Sequence, residues 1–137
     1  MAHADFVYQN KKYQFSYKKI KHEKPNIDFY NIVILTDTIT DPFGDSLEFY
    51  ALKQEDKCLV YDDGYASYNL ICFDKPKIKR KITTPLALAI ADEKEKQKKT
   101  QKYTDSIYVV GDWKDLASLV SQTVEQTQQV YQPLMKH

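Results

Sequence analysis

Leu47-Glu48-Phe49-Tyr50-Ala51-Leu52-Lys53-Gln54-Glu55-Asp56-Lys57-Cys58-Leu59-Val60-Tyr61-Asp62-Asp63-Gly64 is the most ordered pattern in the chain. Leu47, Phe49 and Ala51 alternate with Glu48, Tyr50 and Leu52, the period of a strand with one face buried. Gln54-Glu55-Asp56 is a polar tip, Cys58 to Tyr61 returns as the partner strand, and Asp62-Asp63-Gly64 closes it as a turn. The segments 46–52 and 57–62 therefore pair antiparallel. With Leu52 facing Lys57 across a four-residue loop, Leu47 falls opposite Asp62 and Ser46 opposite Asp63.

Upstream, Phe29 to Leu35 is rich in aromatic and β-branched residues and reads as a strand, followed by turn chemistry at Asp41-Pro42-Phe43-Gly44-Asp45. The segment Ala4 to Lys24 fits two periods. Phe6, Tyr13, Tyr17 and Ile20 suit a helical stripe, whereas Tyr13, Phe15 and Tyr17 alternate; the expectation leans to an N-terminal helix ended by Pro25-Asn26. Downstream, Tyr65 to Phe73 suits a helical turn or another strand equally well. Thr84-Pro85 starts a middle helix, with Asp92/Lys96 and Glu95/Lys99 at i,i+4 spacing. Lys98 to Thr104 reads as a connection, and Ser106 to Val110 is a strand. Asp112 is placed to cap a last helix whose apolar stripe runs Trp113, Leu116, Val120, Val124, Tyr131.

Together these give an α+β class in a single domain spanning 1–137. A small antiparallel sheet of about four strands, near 29–35, 46–52, 57–62 and 106–110, packs against a long C-terminal helix, with an N-terminal and a middle helix beside it. Eleven tyrosines and six phenylalanines exceed what a small helical bundle needs and favour a sheet. No stretch approaches the roughly 20 apolar residues that span a bilayer, and no signal-peptide pattern opens the chain. Cys58 and Cys72 lack metal-site spacing, so the expectation is a cytoplasmic protein with reduced thiols and no membrane association.

Charge is layered along the chain. Net charge is only +1, yet residues 28–63 carry Lys53 and Lys57 against nine carboxylates, while the flanking blocks 1–27 and 64–102 are basic. An acidic middle of this kind suits a protein partner with a basic surface. The residues expected to meet that partner are Asp41, Asp45, Glu48, Asp62, Asp63 and Tyr65, gathered at one end of the hairpin.

Three function classes follow. The first is a non-enzymatic interaction or inhibitor protein using the acidic hairpin, with no cofactor. The second is a metal-dependent nuclease in which Asp45, Asp62 and Asp63 hold Mg²⁺ or Mn²⁺, since all-oxygen ligation suits hard cations. The third is a nucleic-acid-binding module using Lys11 to Lys19 and Lys75 to Lys81. Near-neutral total charge and a single arginine, Arg80, count against the third. His3, His22 and His137 have no evident Ser or Cys partner, and three glycines make no phosphate loop.

From Ile34 onwards the chain resembles a small bacterial and prophage domain family of unknown function. The likeness is carried by Thr40-Asp41-Pro42-Phe43-Gly44-Asp45, by Leu47 to Tyr50, and most specifically by the "D-D-G-Y" strand-turn in Leu59-Val60-Tyr61-Asp62-Asp63-Gly64-Tyr65. The chain departs from that pattern by inserting Asp41 before Pro42 and by a weaker N-terminal helix. The resemblance implies the α+β order and a prophage or mobile-element setting, where an inhibitor of a host nucleic-acid-processing enzyme, such as an anti-CRISPR, is the expected role. It implies no activity and no catalytic residue.

Overall fold

A computed structural model describes residues 2–20, 26–73 and 106–135. The first two elements are strands, β1 (Ala2–Tyr8) and β2 (Lys11–Ile20), paired antiparallel with Phe6 opposite Tyr13. The expected N-terminal helix is thus a hairpin. Gln9 and Asn10 both take positive φ (50° and 62°), the backbone of a two-residue turn whose twist matches its strands. Tyr13, Phe15 and Tyr17 keep their period of two and lie against one core. Phe15 is fully buried there. Tertiary burial of that face settles a segment whose local pattern served either period.

β3 (Asp28–Ile34), β4 (Glu48–Gln54) and β5 (Lys57–Tyr61) continue the meander, and β6 (Tyr108–Asp112) closes it. The six strands among the described residues form one antiparallel sheet in sequence order, two more than expected. A short helix, α1 (Tyr65–Cys72), follows β5, which resolves the open reading of that segment. After β6, a 3-10 turn (Trp113–Asp115) leads into α2 (Leu116–Met135). Asp112 does not cap α2: its carboxylate accepts a hydrogen bond from Lys57 Nζ at 2.9 Å, across the β5–β6 pair. The middle helix expected from Thr84, the run Lys75 to Lys81, His22 and His137 lie outside the described residues.

The hairpin register differs from expectation by two. Leu52 faces Leu59, and Tyr50 faces Tyr61, because only Glu55 and Asp56 form the loop, with Glu55 at positive φ. A shift of two leaves every side chain on its face, so the burial pattern survives the error. It does move Glu48 to the position level with Asp63.

The core lies between the sheet and α2. Phe6, Phe15, Ile32, Ile34, Phe49, Ala51, Cys58, Val60 and Val109 from the strands meet Leu116, Leu119, Val120, Val124 and Tyr131 from the helix. The expected helical stripe is therefore the buried one. Five strand spacings separate β1 from β6, about 24 Å in a flat sheet. Yet α2 contacts both of these edge strands, and Ser121 Oγ donates to the Val7 carbonyl. The sheet accordingly curls around the helix. Its other face carries a second apolar cluster, Ile27, Leu52, Leu59 and Tyr61, flanked by Phe29, Tyr50 and Tyr108.

Candidate functional site

The site is built at the end of β4 and β5 away from their hairpin loop, where the 35–47 connection and the β5–α1 turn meet. Two aspartates organise these turns from inside. Asp41 is fully buried, and its Oδ1 accepts the backbone N–H of Phe43 (2.8 Å) and of Asp45 (3.0 Å). Its Oδ2 accepts the Tyr65 hydroxyl at 2.9 Å. Gly44, at φ 85°, supplies the left-handed residue this loop needs.

Asp62 is only 3% exposed. Its Oδ1 accepts N–H groups of Gly64 and Ile107, both at 3.0 Å, and its Oδ2 that of Ala66 at 2.9 Å. One carboxylate thereby fastens the first turn of α1 to the chain entering β6. Burial pushes its pKa up to about 6, against the opposing pull of the three N–H groups and with help from Asp63. Deeper still, Asn69 Nδ2 donates to the Tyr131 hydroxyl at 2.9 Å, and burial raises the pKa of that phenol. Burial also raises the pKa of the Tyr65 phenol, reinforced by its bond to Asp41.

The remaining acids face outward. Asp45 and Glu48 are exposed and Asp63 is half-buried. They line one open groove of about 700 Å³, together with Ser46, Tyr50, Asp62, Gly64, Tyr65, Ser67, Tyr68 and Ile71. No lysine, arginine or histidine is among the described residues that line it. Burial raises the pKa of the Tyr50 phenol, and the charges of Glu48 and Asp63 raise it further. Asn31 Nδ2 donates to Glu48 Oε1 at 2.7 Å. Asp63 Oδ1 is buried without a hydrogen-bond partner among the described residues, and Asp63 is held in positive φ (58°).

Of the six residues expected to meet a partner, Asp45, Glu48, Asp63 and Tyr65 come together at this surface. Asp41 does not, and Asp62 lines the groove with its carboxylate engaged by backbone N–H groups. No group of three or more His, Cys, Asp or Glu among the described residues is arranged to hold a metal ion.

Sequence reasoning missed one wall. Tyr65, Tyr68 and Ile71 stand at i, i+3, i+6 on α1, and Tyr68 (62% exposed) and Ile71 (54%) face solvent rather than core. Phe73 continues this ridge, its ring 5.5 Å from that of Phe43. The spacing was visible, but only a helical reading of 65–73 turns it into a face.

A shallower depression of about 330 Å³ lies at the opposite end of the hairpin, among Lys53, Glu55, Asp56, Asp112, Trp113 and Lys114. Its charges are mixed, and Lys53 Nζ sits 5.7 Å from the Trp113 ring. No helix among the described residues is long and apolar enough to cross a membrane. No family model, no curated protein and no solved structure matches the chain.

Proposed function

We propose that this chain is a non-enzymatic protein-interaction module whose groove engages a partner with a basic surface. One observation carries the reading: Asp45, Glu48 and Asp63 line a single open groove with three tyrosines and, among the described residues, no basic one. None of the three carboxylates has an ion pair among the described residues; the ion pairs there are Lys19–Asp28 and Lys57–Asp112. Unneutralised acids set on low-dielectric walls focus a negative potential, which draws in cationic ligands and speeds their encounter. Tyrosine adds stiff contact area with a polar tip, the usual make-up of an interface centre. In the prophage setting that the resemblance implies, the partner is the basic face of a host nucleic-acid-processing enzyme, CRISPR-type enzymes included. Covering that face is the inhibitory act.

The test is fluorescence anisotropy with a labelled lysine- and arginine-rich peptide at low and at physiological salt. Neutralising the groove by Asp45→Asn, Glu48→Gln and Asp63→Asn together weakens binding at least tenfold. Neutralising Asp5 and Asp115, exposed acids elsewhere, leaves it unchanged. Equal binding by both variants overturns the reading.

A further inference from the structure

A basic ligand alone leaves half of this surface unexplained. The outward face of α1 presents Tyr68 and Ile71 more than half exposed, and beyond them Phe73 (40%) leans on Phe43 (56%). Isolated exposed apolar side chains are ordinary, but a contiguous row beside a groove marks a contact surface. The row borders the carboxylates, so one ligand touching both must be amphipathic on a short length scale.

The groove also discriminates between cations. Tyr50, Tyr65 and Tyr68 line it beside Glu48, Asp45 and Asp63. A lysine ammonium is compact and strongly hydrated, and gains little from entering such a place. A guanidinium is planar, more weakly hydrated, stacks on aromatic faces and offers a fork of donors to a carboxylate.

We infer that the groove takes an arginine side chain from a partner peptide, with an adjacent large apolar residue of that peptide seated on the Tyr68–Ile71 ridge. The inference rests on the basic-partner reading above and specifies its chemistry. Charge complementarity selects this occupant over a second copy of the chain's own acidic face, which would be repelled.

Three short labelled peptides in the same flexible Gly-Ser frame decide it: one with alternating Arg and Leu, one with Lys for each Arg, and one with Ser for each Leu. The Arg-Leu peptide binds the protein at least tenfold tighter than either analogue. Tyr68→Ala with Ile71→Ser, both on the exposed face, reduces Arg-Leu binding to the level of the Arg-Ser peptide. NMR shifts on titration with N-acetyl-arginine amide map to Tyr50, Tyr65 and Tyr68. If the lysine and arginine peptides bind equally, the arginine inference fails while the basic-partner reading stands. If no peptide binds, both fail. Shifts confined to the Lys53–Trp113 depression also overturn it.

Discussion

Replacing Asp62 with Asn separates the two forces acting on the buried carboxylate beneath the groove. Burial favours the protonated acid, while the three N–H groups of Gly64, Ala66 and Ile107 favour the anion. Burial wins, and the pKa rises from 3.8 to about 6. The stability consequence has a definite sign. Between about pH 4 and pH 6 the native state retains a proton that the unfolded chain has released, so the unfolding free energy falls as pH rises through this window. At about 1.4 kcal/mol per pH unit across the window, the fall amounts to roughly 3 kcal/mol. Below pH 4 the contribution is fully present, and above about 6 it is gone.

The Asp62→Asn variant has no titrating group at this position. Its amide leaves the N–H of Ala66 or its neighbours facing a donor, which costs about 1–3 kcal/mol at every pH. That offset does not change with pH, so the diagnostic quantity is the difference between the two proteins. Urea denaturation followed by the fluorescence of Trp113, the one tryptophan, measures it at steps from pH 4 to 7. Wild-type stability minus that of Asp62→Asn drops by roughly 3 kcal/mol over this range. A flat difference refutes the elevated pKa. Steps continued below pH 4 then show whether the difference rises with pH there, the sign of N–H groups that outweigh burial and of a native acid that titrates below its ordinary value.

Four further outcomes follow from the packing. Phe15→Ala costs roughly 3–5 kcal/mol by denaturant midpoint, since a fully buried ring of the N-terminal hairpin is removed; a peripheral helix in its place would lose far less. Gly111→Ala builds a Cβ 2.6 Å from Leu119 Cδ2, and with Leu119 only 4% exposed the clash costs about 1–3 kcal/mol, partly recovered by Leu119→Val. Tyr65→Phe strips Asp41 Oδ2 of its hydroxyl donor, and calorimetry shows a loss of about 1–3 kcal/mol. Exposed Cys72 is modified by a thiol reagent in the native protein; buried Cys58, its thiol pushed up to about 12 by desolvation, is modified only on unfolding.

The parts of the fold legible in sequence were those whose pattern had one explanation. The β4–β5 alternation and the stripe through Leu116, Val120, Val124 and Tyr131 each fit a single period, and both elements stand. Residues 4–24 fit two, and no local signal ranks them. The deciding contacts join Phe6 and Phe15 to α2, over a hundred positions away, where pattern analysis within a window has no access. Asp112 illustrates the same limit: its helix-cap chemistry is real, but Lys57, brought alongside by the β5–β6 pairing, claims the carboxylate.

The candidate site turns on a different ambiguity, the direction in which an acid points. Asp41, Asp45, Asp62 and Asp63 are alike in sequence, all in turn segments within three residues of a glycine. A turn creates stranded N–H groups, and the carboxylate that accepts them must face inward. Asp41 and Asp62 take that part, each accepting at least two backbone N–H bonds. With those donors satisfied, Asp45 and Asp63 have no such bond to make and are left at the groove. The two pairs are therefore interdependent: the buried acids hold the loop and α1 in the positions that bring the outward acids and Tyr65 to one surface. It follows that neutralising Asp41 or Asp62 weakens ligand binding through the scaffold and lowers stability with it. Neutralising Asp45 weakens binding alone, whereas neutralising Asp63 weakens binding and also removes the charge that helps raise the Asp62 pKa; comparing affinity with denaturation midpoint across the four single Asn variants separates these effects.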